Sequence, residues 1–292
     1  MNPSDCHISV VVIGFNGREF IHDCLATTFA SLADNRAEVI VIDNGSTDGT
    51  PELIARHFPD ACLIRNDHNT GFAAAVNKGL AEARGEYILI LNQDTRIIAD
   101  AVDKLAARMK RDNAIGTIGP KFIGFDGRLQ KSARAFPRYR DLFFEFTGLT
   151  RLFPESKLFS RWKMGWFDHL TEKPVDQPMG AALMIRRSVV DEIGGFDENF
   201  PIFFNDVDFC RRVKGRGYVN LYYPEAVIEH FLGGSTRKMK APMIIESHRA
   251  MYRYFRKYNR SLTGRPVLYF WGMILFLTAR VRAFLARRNP AE

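Results

Sequence analysis

The chain has 292 residues, 46% of them hydrophobic and 25% charged, with a net charge of +8. That is enough for one large α/β domain or two small ones, and it excludes global disorder. Four scattered cysteines, Cys6, Cys24, Cys62 and Cys210, form no CxxC pair, which excludes a disulfide scaffold. With no signal-peptide pattern at the start, they set the expectation of a reducing cytoplasm.

The first third alternates strand and helix. Residues 7–13 (HISVVVI) predict a strand, and 18–33 a helix with apolar residues at helical spacing. Residues 38–42 (EVIVI) predict the second strand, and 50–57 a helix with Thr50 as its cap and Pro51 in its first turn. A short strand at 62–65, a helix at 71–83, a strand at 86–91 and a helix at 100–111 follow. Continuous apolar strands separated by helices predict a mostly parallel sheet covered on both faces. Past Pro120 the rhythm breaks: residues 125–175 are aromatic and basic (ARAFPRYRDLFFEF, LFSRWKMGWF) without a clean period. Regularity returns at 181–185, then GGFDENF, a helix over 206–214 and two strands near 218–222 and 226–230. There is no internal repeat and no low-complexity stretch.

Charge is unevenly spread. From Arg237 to Arg288 there are 13 Lys/Arg against Glu246 alone, a net +12, while the remainder holds 28 Lys/Arg and 32 Asp/Glu, a net −4. A basic tail on an acidic body suggests a polyanionic partner. Residues 266–279 (PVLYFWGMILFLTA) are uncharged and framed by Arg265, Arg280, Arg282, Arg287 and Arg288. Fourteen residues fall short of the roughly 20 needed to cross a bilayer. Aromatic residues with flanking arginines fit a helix lying on an anionic membrane surface; the bland alternative is a helix packed on the body. No DNA- or RNA-reading motif accompanies the tail, so nucleic acid is set aside.

Ligands of open parallel sheets bind beyond the carboxyl ends of the strands. Here those ends are polar and glycine-rich: Gly14-Phe15-Asn16-Gly17, Asp43-Asn44-Gly45-Ser46, Asn66 leading to Asn69-Thr70-Gly71-Phe72, and Asn92-Gln93-Asp94. A buried strand (YILILNQDT) has no structural use for an acid at its tip. Phosphate-loop, dinucleotide, zincin and serine-hydrolase motifs are all absent. For Ser46 to Gly49 a tight capping turn is an adequate explanation; it does not require Asp43, whose carboxylate suits a base N–H or a ribose hydroxyl. Asp94 could equally cap the next helix at Asp100. Asp206 and Asp208 open a helix two residues apart, so they face different directions and one is spare for chemistry. Asp208 suits a brace on the helix start or on a neighbouring Arg. A strand-ending histidine such as His230 is more often a hydrogen-bonded core residue than a ligand.

Six segments in this order, SVVVIGFNG, VIDNGSTDGT, NTGFAAAVNKG, LILNQDT, MGAALMIRR and GGFDENFPIFFNDVDFCRRVKGRGYVNLYYPEAVIEH, resemble the inverting family 2 glycosyltransferases, especially their bacterial rhamnosyltransferase-like branch. The resemblance covers roughly residues 7–237. It implies the GT-A fold, Rossmann-like and α/β, with a mostly parallel central sheet flanked by helices. The expected organisation is a glycosyltransferase domain over 1–236, divided into a nucleotide-binding half (1–120) and an acceptor and catalytic half (121–236), and a basic amphipathic helical tail over 237–292.

The resemblance also implies roles. Asp94 stands in the family's DxD-type motif, with Asn92 where the first acid would be; Asp94 and His230 are then metal ligands for Mg²⁺ or Mn²⁺. Asp206 maps to the catalytic base. Ile13, Phe15, Asp43, Asn69, Gly71, Asn77 and Asn92 fall around a nucleotide-sugar donor (dTDP- or UDP-linked), and Arg237 in the loop Gly233-Gly234-Ser235-Thr236-Arg237 closes over its diphosphate. The aromatic and basic segment 125–175 would shape the site of a glycan or lipid-linked acceptor, as part of cell-envelope polysaccharide synthesis on the inner face of the cytoplasmic membrane. Two rivals stay open: a non-catalytic sugar-nucleotide or polyanion binder, which Asn92 favours, and a nucleotidyltransferase, for which GFNGREF is a poor fit.

Overall fold

Apolar runs too continuous for a half-exposed sheet become interior strands, and both faces are covered as such strands require. The computed structural model describes residues 7–32, 37–231, 240–259 and 265–288. The first half runs β1 (Ile8–Gly14), α1 (Arg18–Ser31), β2 (Ala37–Asp43), α2 (Thr50–His57), β3 (Cys62–Arg65), α3 (Phe72–Glu82), β4 (Tyr87–Asn92), β5 (Thr95–Ile97), α4 (Ala101–Lys110) and β6 (Ile115–Ile123). There follow β7 (Leu129–Gln130), β8 (Ala133–Arg134), α5 (Tyr139–Phe146), α6 (Leu149–Leu152), β9 (Lys173–Val175), β10 (Gln177–Pro178) and β11 (Ala182–Arg186). The chain continues through α7 (Arg187–Ile193), α8 (Asn205–Gly215), β12 (Val219–His230), α9 (Lys240–Tyr258) and α10 (Arg265–Arg288).

The main sheet has the order β3-β2-β1-β4-β11-β6-β12-β5. Strands β3, β2, β1, β4, β6 and β12 share one direction; β11 runs against β4 and β6, and β5 against β12. Alternation along β1 splits the core. Val10 and Val12 pack with Ile21, Leu25, Leu105 and Met109 on the α1/α4 face, and Val11 and Ile13 with Val76, Leu80, Phe209 and Val213 on the α3/α8 face.

Several local expectations shift. Thr50 is the first helical residue of α2, with Gly49 (φ +83°) before it, and the cap comes from Asp48, whose Oδ1 accepts from the Thr50 N–H and hydroxyl. The two strands expected between 218 and 230 are one, β12, with a register shift between Tyr223 and Val227 at Pro224, where proline cannot donate to the ladder. Strand β5 has no counterpart in the sequence pattern; it begins directly after Asp94, so Asp94 caps no helix.

The basic tail forms two helices on the body. Ala250, Tyr254 and Phe255 of α9 and Leu268 and Trp271 of α10 share a cluster with Leu142, Phe200 and Val207. Helix α10 is 24 residues long, and Arg265–Arg287 is long and apolar enough to cross a membrane by length and composition. The uncharged run alone points the other way. One stripe of α10 is buried (Leu268, Trp271, Leu275, Ala279, Ala283), while Tyr269, Phe270, Met273, Phe276, Val281 and Phe284 are exposed.

A charge lock fastens α9 to α8. Asp208, fully buried, receives Arg212 Nε at 2.9 Å, Lys257 Nζ at 2.5 Å and the Tyr258 hydroxyl at 2.7 Å. Breaking a buried pair strands the remaining charges. Asp208→Ala is therefore expected to lower unfolding stability by about 3 kcal/mol or more, read by chemical denaturation. An unchanged midpoint would show that the lock does not hold the tail.

Candidate functional site

Because β11 runs antiparallel to its neighbours, its start lies at the edge where β1, β2, β4 and β12 end. That edge collects Phe15, Asp43, Asn92–Asp94, Gly180–Ala181 and His230. Gln93 fastens its floor: its Oε1 accepts from the Phe15 N–H at 3.0 Å and its Nε2 donates to the Phe15 carbonyl at 2.9 Å. Gly17 makes room for this clasp, since a Cβ there would lie 2.0 Å from Gln93 Oε1.

Asp43 ends β2 with 1% of its surface exposed. Its Oδ2 accepts from the Ser46 N–H at 3.1 Å, whereas Oδ1 is buried without a hydrogen-bond partner, as is Asn92 Oδ1 on the neighbouring tip. Buried polar oxygens left unpaired are costly, and they mark places where a ligand completes the bonding. Ile13 contributes backbone only, its carbonyl accepting from the Gln93 N–H at 3.3 Å.

Asp94 and His230 meet across the sheet edge. Thr95 pairs with His230 in the β5/β12 ladder, the Phe231 N–H donates to the Asp94 carbonyl at 2.9 Å, and His230 Nε2 lies 3.7 Å from Asp94 Oδ1. Gln130 of β7 grips the histidine twice: its Nε2 donates to the His230 carbonyl at 2.7 Å, and its Oε1 sits 3.2 Å from Nδ1. A proton on Nδ1 satisfies that contact and leaves the Nε2 lone pair facing Asp94. Burial lowers the His230 pKa to about 4, so the ring is neutral at ordinary pH. Two atoms ligating one small divalent cation at about 2.1 Å each can be up to roughly 4.2 Å apart, so the pair fits an ion such as Mg²⁺ or Mn²⁺.

Asp206 lies in the first turn of α8. Its Oδ2 accepts from Gln177 Nε2 at 2.6 Å and the Gly180 N–H at 3.1 Å, and its Oδ1 from the Val207 N–H at 2.8 Å. Gly180 permits this approach, since a Cβ there would lie 2.9 Å from Asp206 Cβ. The next carbonyl, of Ala181, accepts from the Asn92 N–H at 2.9 Å, which ties the Asp206 cradle to the strand tip two residues before Asp94. Desolvation raises the Asp206 pKa despite these three donors, although the residue keeps some solvent contact. Among the described residues no three His, Cys, Asp or Glu side chains cluster closely enough for a common ion, so Asp206 stands apart from the Asp94–His230 pair.

Other predicted residues have different occupations. Asn69 Oδ1 accepts from Asn44 Nδ2 at 3.1 Å and the Gly71 N–H at 2.9 Å, which spends it inside the loop. Asn77 donates to the Phe196 carbonyl and Glu198, both at 2.9 Å, and accepts from the Phe196 N–H at 2.7 Å; it staples α3 to the GGFDENF loop. Gly71 (φ +88°) lies against Pro201 in the left-handed region where glycine is favoured. Arg237 lies outside the described residues. Gln130 and Gln177 were not foreseen, because both sit among short strands with no local period.

A family model described as "Glycosyl transferase family 2" matches residues 9–194. The chain is 28% identical over 258 residues to the N-acetylglucosaminyl-diphospho-decaprenol L-rhamnosyltransferase of Mycobacterium tuberculosis, covering 84% of this chain and 82% of that protein. It is 24% identical over 211 residues to a low-salt glycan biosynthesis hexosyltransferase of Haloferax volcanii, covering 71% and 61%. Among solved structures, a mannosyltransferase from Pyrobaculum calidifontis in complex with GDP-Man and Mn²⁺ superposes with a TM-score of 0.60 at 19% identity, covering 98% of this chain and 76% of that one. GalNAc-T7 with UDP, GalNAc and Mn²⁺ gives 0.59 at 16% identity, covering 84% and 47%. These neighbours establish the GT-A fold for this chain.

The environment of His230 is open to a direct check. By nuclear magnetic resonance the metal-free imidazole is expected to stay neutral down to about pH 4. An unfolded histidine titrates near 6.5, so the unfolded chain binds the extra proton first. His230 therefore supports folding above about pH 6.5, and that support drains away as pH falls towards 4. A titration midpoint near 6.5 in the folded protein would contradict the buried, Gln130-bound ring.

Proposed function

The chain belongs to glycosyl transferase family 2, and we propose that it is an inverting hexosyltransferase that moves a sugar from a nucleoside-diphosphate donor to a hydroxyl of a lipid-linked glycan acceptor of the cell envelope. The similarity to a rhamnosyltransferase supports a dTDP-rhamnose donor, with a UDP-sugar as the alternative. The observation that carries the reading is Asp206, held by Gln177 and Gly180 one hydrogen-bonded step from the strand tip bearing Asp94.

In this reading Asp43 Oδ1 accepts from the nucleoside and the Phe15–Gln93 clasp shapes the floor beneath it. Asp94 and His230 would hold a Mg²⁺ or Mn²⁺ ion, which would supply positive charge against the diphosphate. Asp206 takes the proton from the acceptor hydroxyl as its oxygen bonds to the anomeric carbon opposite the leaving group. Burial suits it to this proton transfer, because a carboxylate with a raised pKa is a stronger base than an exposed one. The Gln177 and Gly180 donors hold its Oδ2 in place and slow its movement towards the metal pair.

Asp206→Asn is expected to lower kcat by roughly 10²- to 10⁴-fold while donor binding stays nearly intact. In the native enzyme the acid limb of kcat/KM is expected above the ordinary aspartate range near 4. Full turnover in the Asn variant would remove Asp206 as the base. Metal-dependent hydrolysis of the donor without acceptor separates this reading from a non-catalytic binder, which shows none.

We further propose that α9 and α10 seat the protein on an anionic membrane surface from the cytoplasmic side. Lipid would surround a crossing helix, whereas one stripe of α10 is packed on the body and the opposite stripe is bare and apolar. Beside that stripe a 550 Å³ cleft between α9 and α10 is lined by Arg249, Arg253, Arg256 and Arg280, which places cations where lipid phosphates would sit. The doubly substituted Phe276→Glu/Phe284→Glu protein is expected to stay in the supernatant when sedimented with phosphatidylglycerol vesicles that capture the native chain. Equal capture of both proteins would refute in-plane seating.

A further inference from the structure

On the other side of α10 a second cavity, of 880 Å³, lies between that helix and the aromatic, basic segment. Five cations line it, Lys131, Arg134, Arg151, Lys163 and Arg282, against the single acid Glu145. Glu145 is already paired with Lys163 at 2.6 Å. Among the described residues Arg134 has no carboxylate within ion-pair distance, and its side chain makes one hydrogen bond, to the Lys163 carbonyl at 3.4 Å. Burial disfavours its charge, and only Glu145 and Asp206 act to sustain it. A half-buried guanidinium without a counter-ion is an expensive arrangement, and an arriving anion relieves it.

The place of Arg134 in the fold ties the cavity to the chemistry. On β8, Arg134 pairs directly with Gln177 on β10, and Gln177 is the residue that holds Asp206 Oδ2. Neighbouring strands lie about 5 Å apart, a distance of the order of one sugar ring. Part of the remaining wall is apolar: Leu277 and Val281 of α10, 55% and 58% exposed, continue into the bare stripe that ends at Phe284 and Leu285. The cavity's cations, its apolar flank and the carboxylate that Gln177 holds thus lie around one strand pair.

We propose that this cavity binds the diphosphate of a lipid-linked acceptor, with the acceptor sugar reaching Asp206 and the lipid chain leaving along α10. The assignment rests on the transferase reading above and adds to it where the acceptor's diphosphate and chain sit and which residues select them. Arg134 and Arg282 bracket the phosphates as specificity-determining groups, bidentate donors suited to phosphate oxygens, and Leu277 and Val281 guide the first part of the chain. Helix α10 thereby has two uses: one exposed stripe rests on the membrane and the adjoining flank is a wall of the acceptor site.

The test uses three synthetic acceptors carrying the same sugar. One bears it on a diphosphate with a long alkyl chain, one on a diphosphate without the chain, and one on the chain through a neutral linker. The full-length native enzyme is expected to use the first best. Arg134→Gln and Arg282→Gln are each expected to raise KM for it tenfold or more with a smaller change in kcat, and to erase its advantage over the neutral-linker acceptor. Arg282, at the helix surface, keeps the test valid if the Arg134 variant folds poorly. Equal native use of the first and third acceptors, or variants that retain the preference, would overturn the subsite. Competition by inorganic pyrophosphate as strong as by the complete lipid diphosphate would overturn the lipid part and leave a free-phosphate site. Absence of any transfer or donor hydrolysis by the native enzyme would instead sink the parent reading, and binding of the nucleoside diphosphate, followed separately, tells those failures apart.

Discussion

The three-residue ladder between Thr95–Ile97 and Ile228–His230 holds the candidate site together. So short an edge strand is marginal by itself, and its neighbours keep it in register. The Ile97 N–H donates to Thr27 Oγ1 of α1 at 3.1 Å, Arg96 reaches Asp23 at 2.5 Å and stacks over Phe125 at 4.2 Å, and the Ile98 N–H meets the Val227 carbonyl at 3.2 Å. A slip by one residue would turn every side chain to the other face and separate Asp94 from His230. The β5/β12 register thus decides whether two side chains far apart in the chain can share an ion. Gln130 then sets which nitrogen of the ring faces Asp94.

The strand tips hold their polar groups in an incomplete state. Ordinary buried polar atoms are paired, yet Asp43 Oδ1 and Asn92 Oδ1 are not, and Asp206 keeps a raised pKa among three donors. Each is a local conflict between burial and charge or bonding, and such conflicts concentrate at sites where a ligand later resolves them. Asn77 and Asn69 differ in this respect: the bonds they make run to neighbouring loop residues of the chain.

What could be read in the chain depended on range. Strands β1, β2 and β4 were legible because a strand buried on both faces writes an unbroken apolar run, and the acids after those runs stood out against it. The two-residue spacing of Asp206 and Asp208 at a helix start marked one of them as spare, and it was the family resemblance that singled out Asp206. Strand β5 was not, since three residues cannot express a period, and β12 read as two strands because Pro224 interrupts its pattern. Gln130 and Gln177 act on His230 and Asp206, 100 and 29 residues away, and Arg134 joins them only through its pairing with Gln177. No local pattern encodes bonds of that kind. The separate helix α9 was missed within the tail because its apolar face is matched to the body, not to a run of its own sequence.

The same distant contacts join the tail to the chemistry. Helix α8 carries Asp206 in its first turn, and two residues on, Asp208 is bound by Lys257 and Tyr258 of α9. Val207, between them, shares an apolar cluster with Trp271 of α10. A force that tilts the tail is therefore felt at the turn that carries Asp206, and the packed interior transmits it with little give. Seating α10 on a surface would steady that turn and align the path from the basic cavity to Asp206 in one step. Under the proposed function, a membrane-bound acceptor would meet an Asp206 whose position depends on the helix that seats the protein on the membrane.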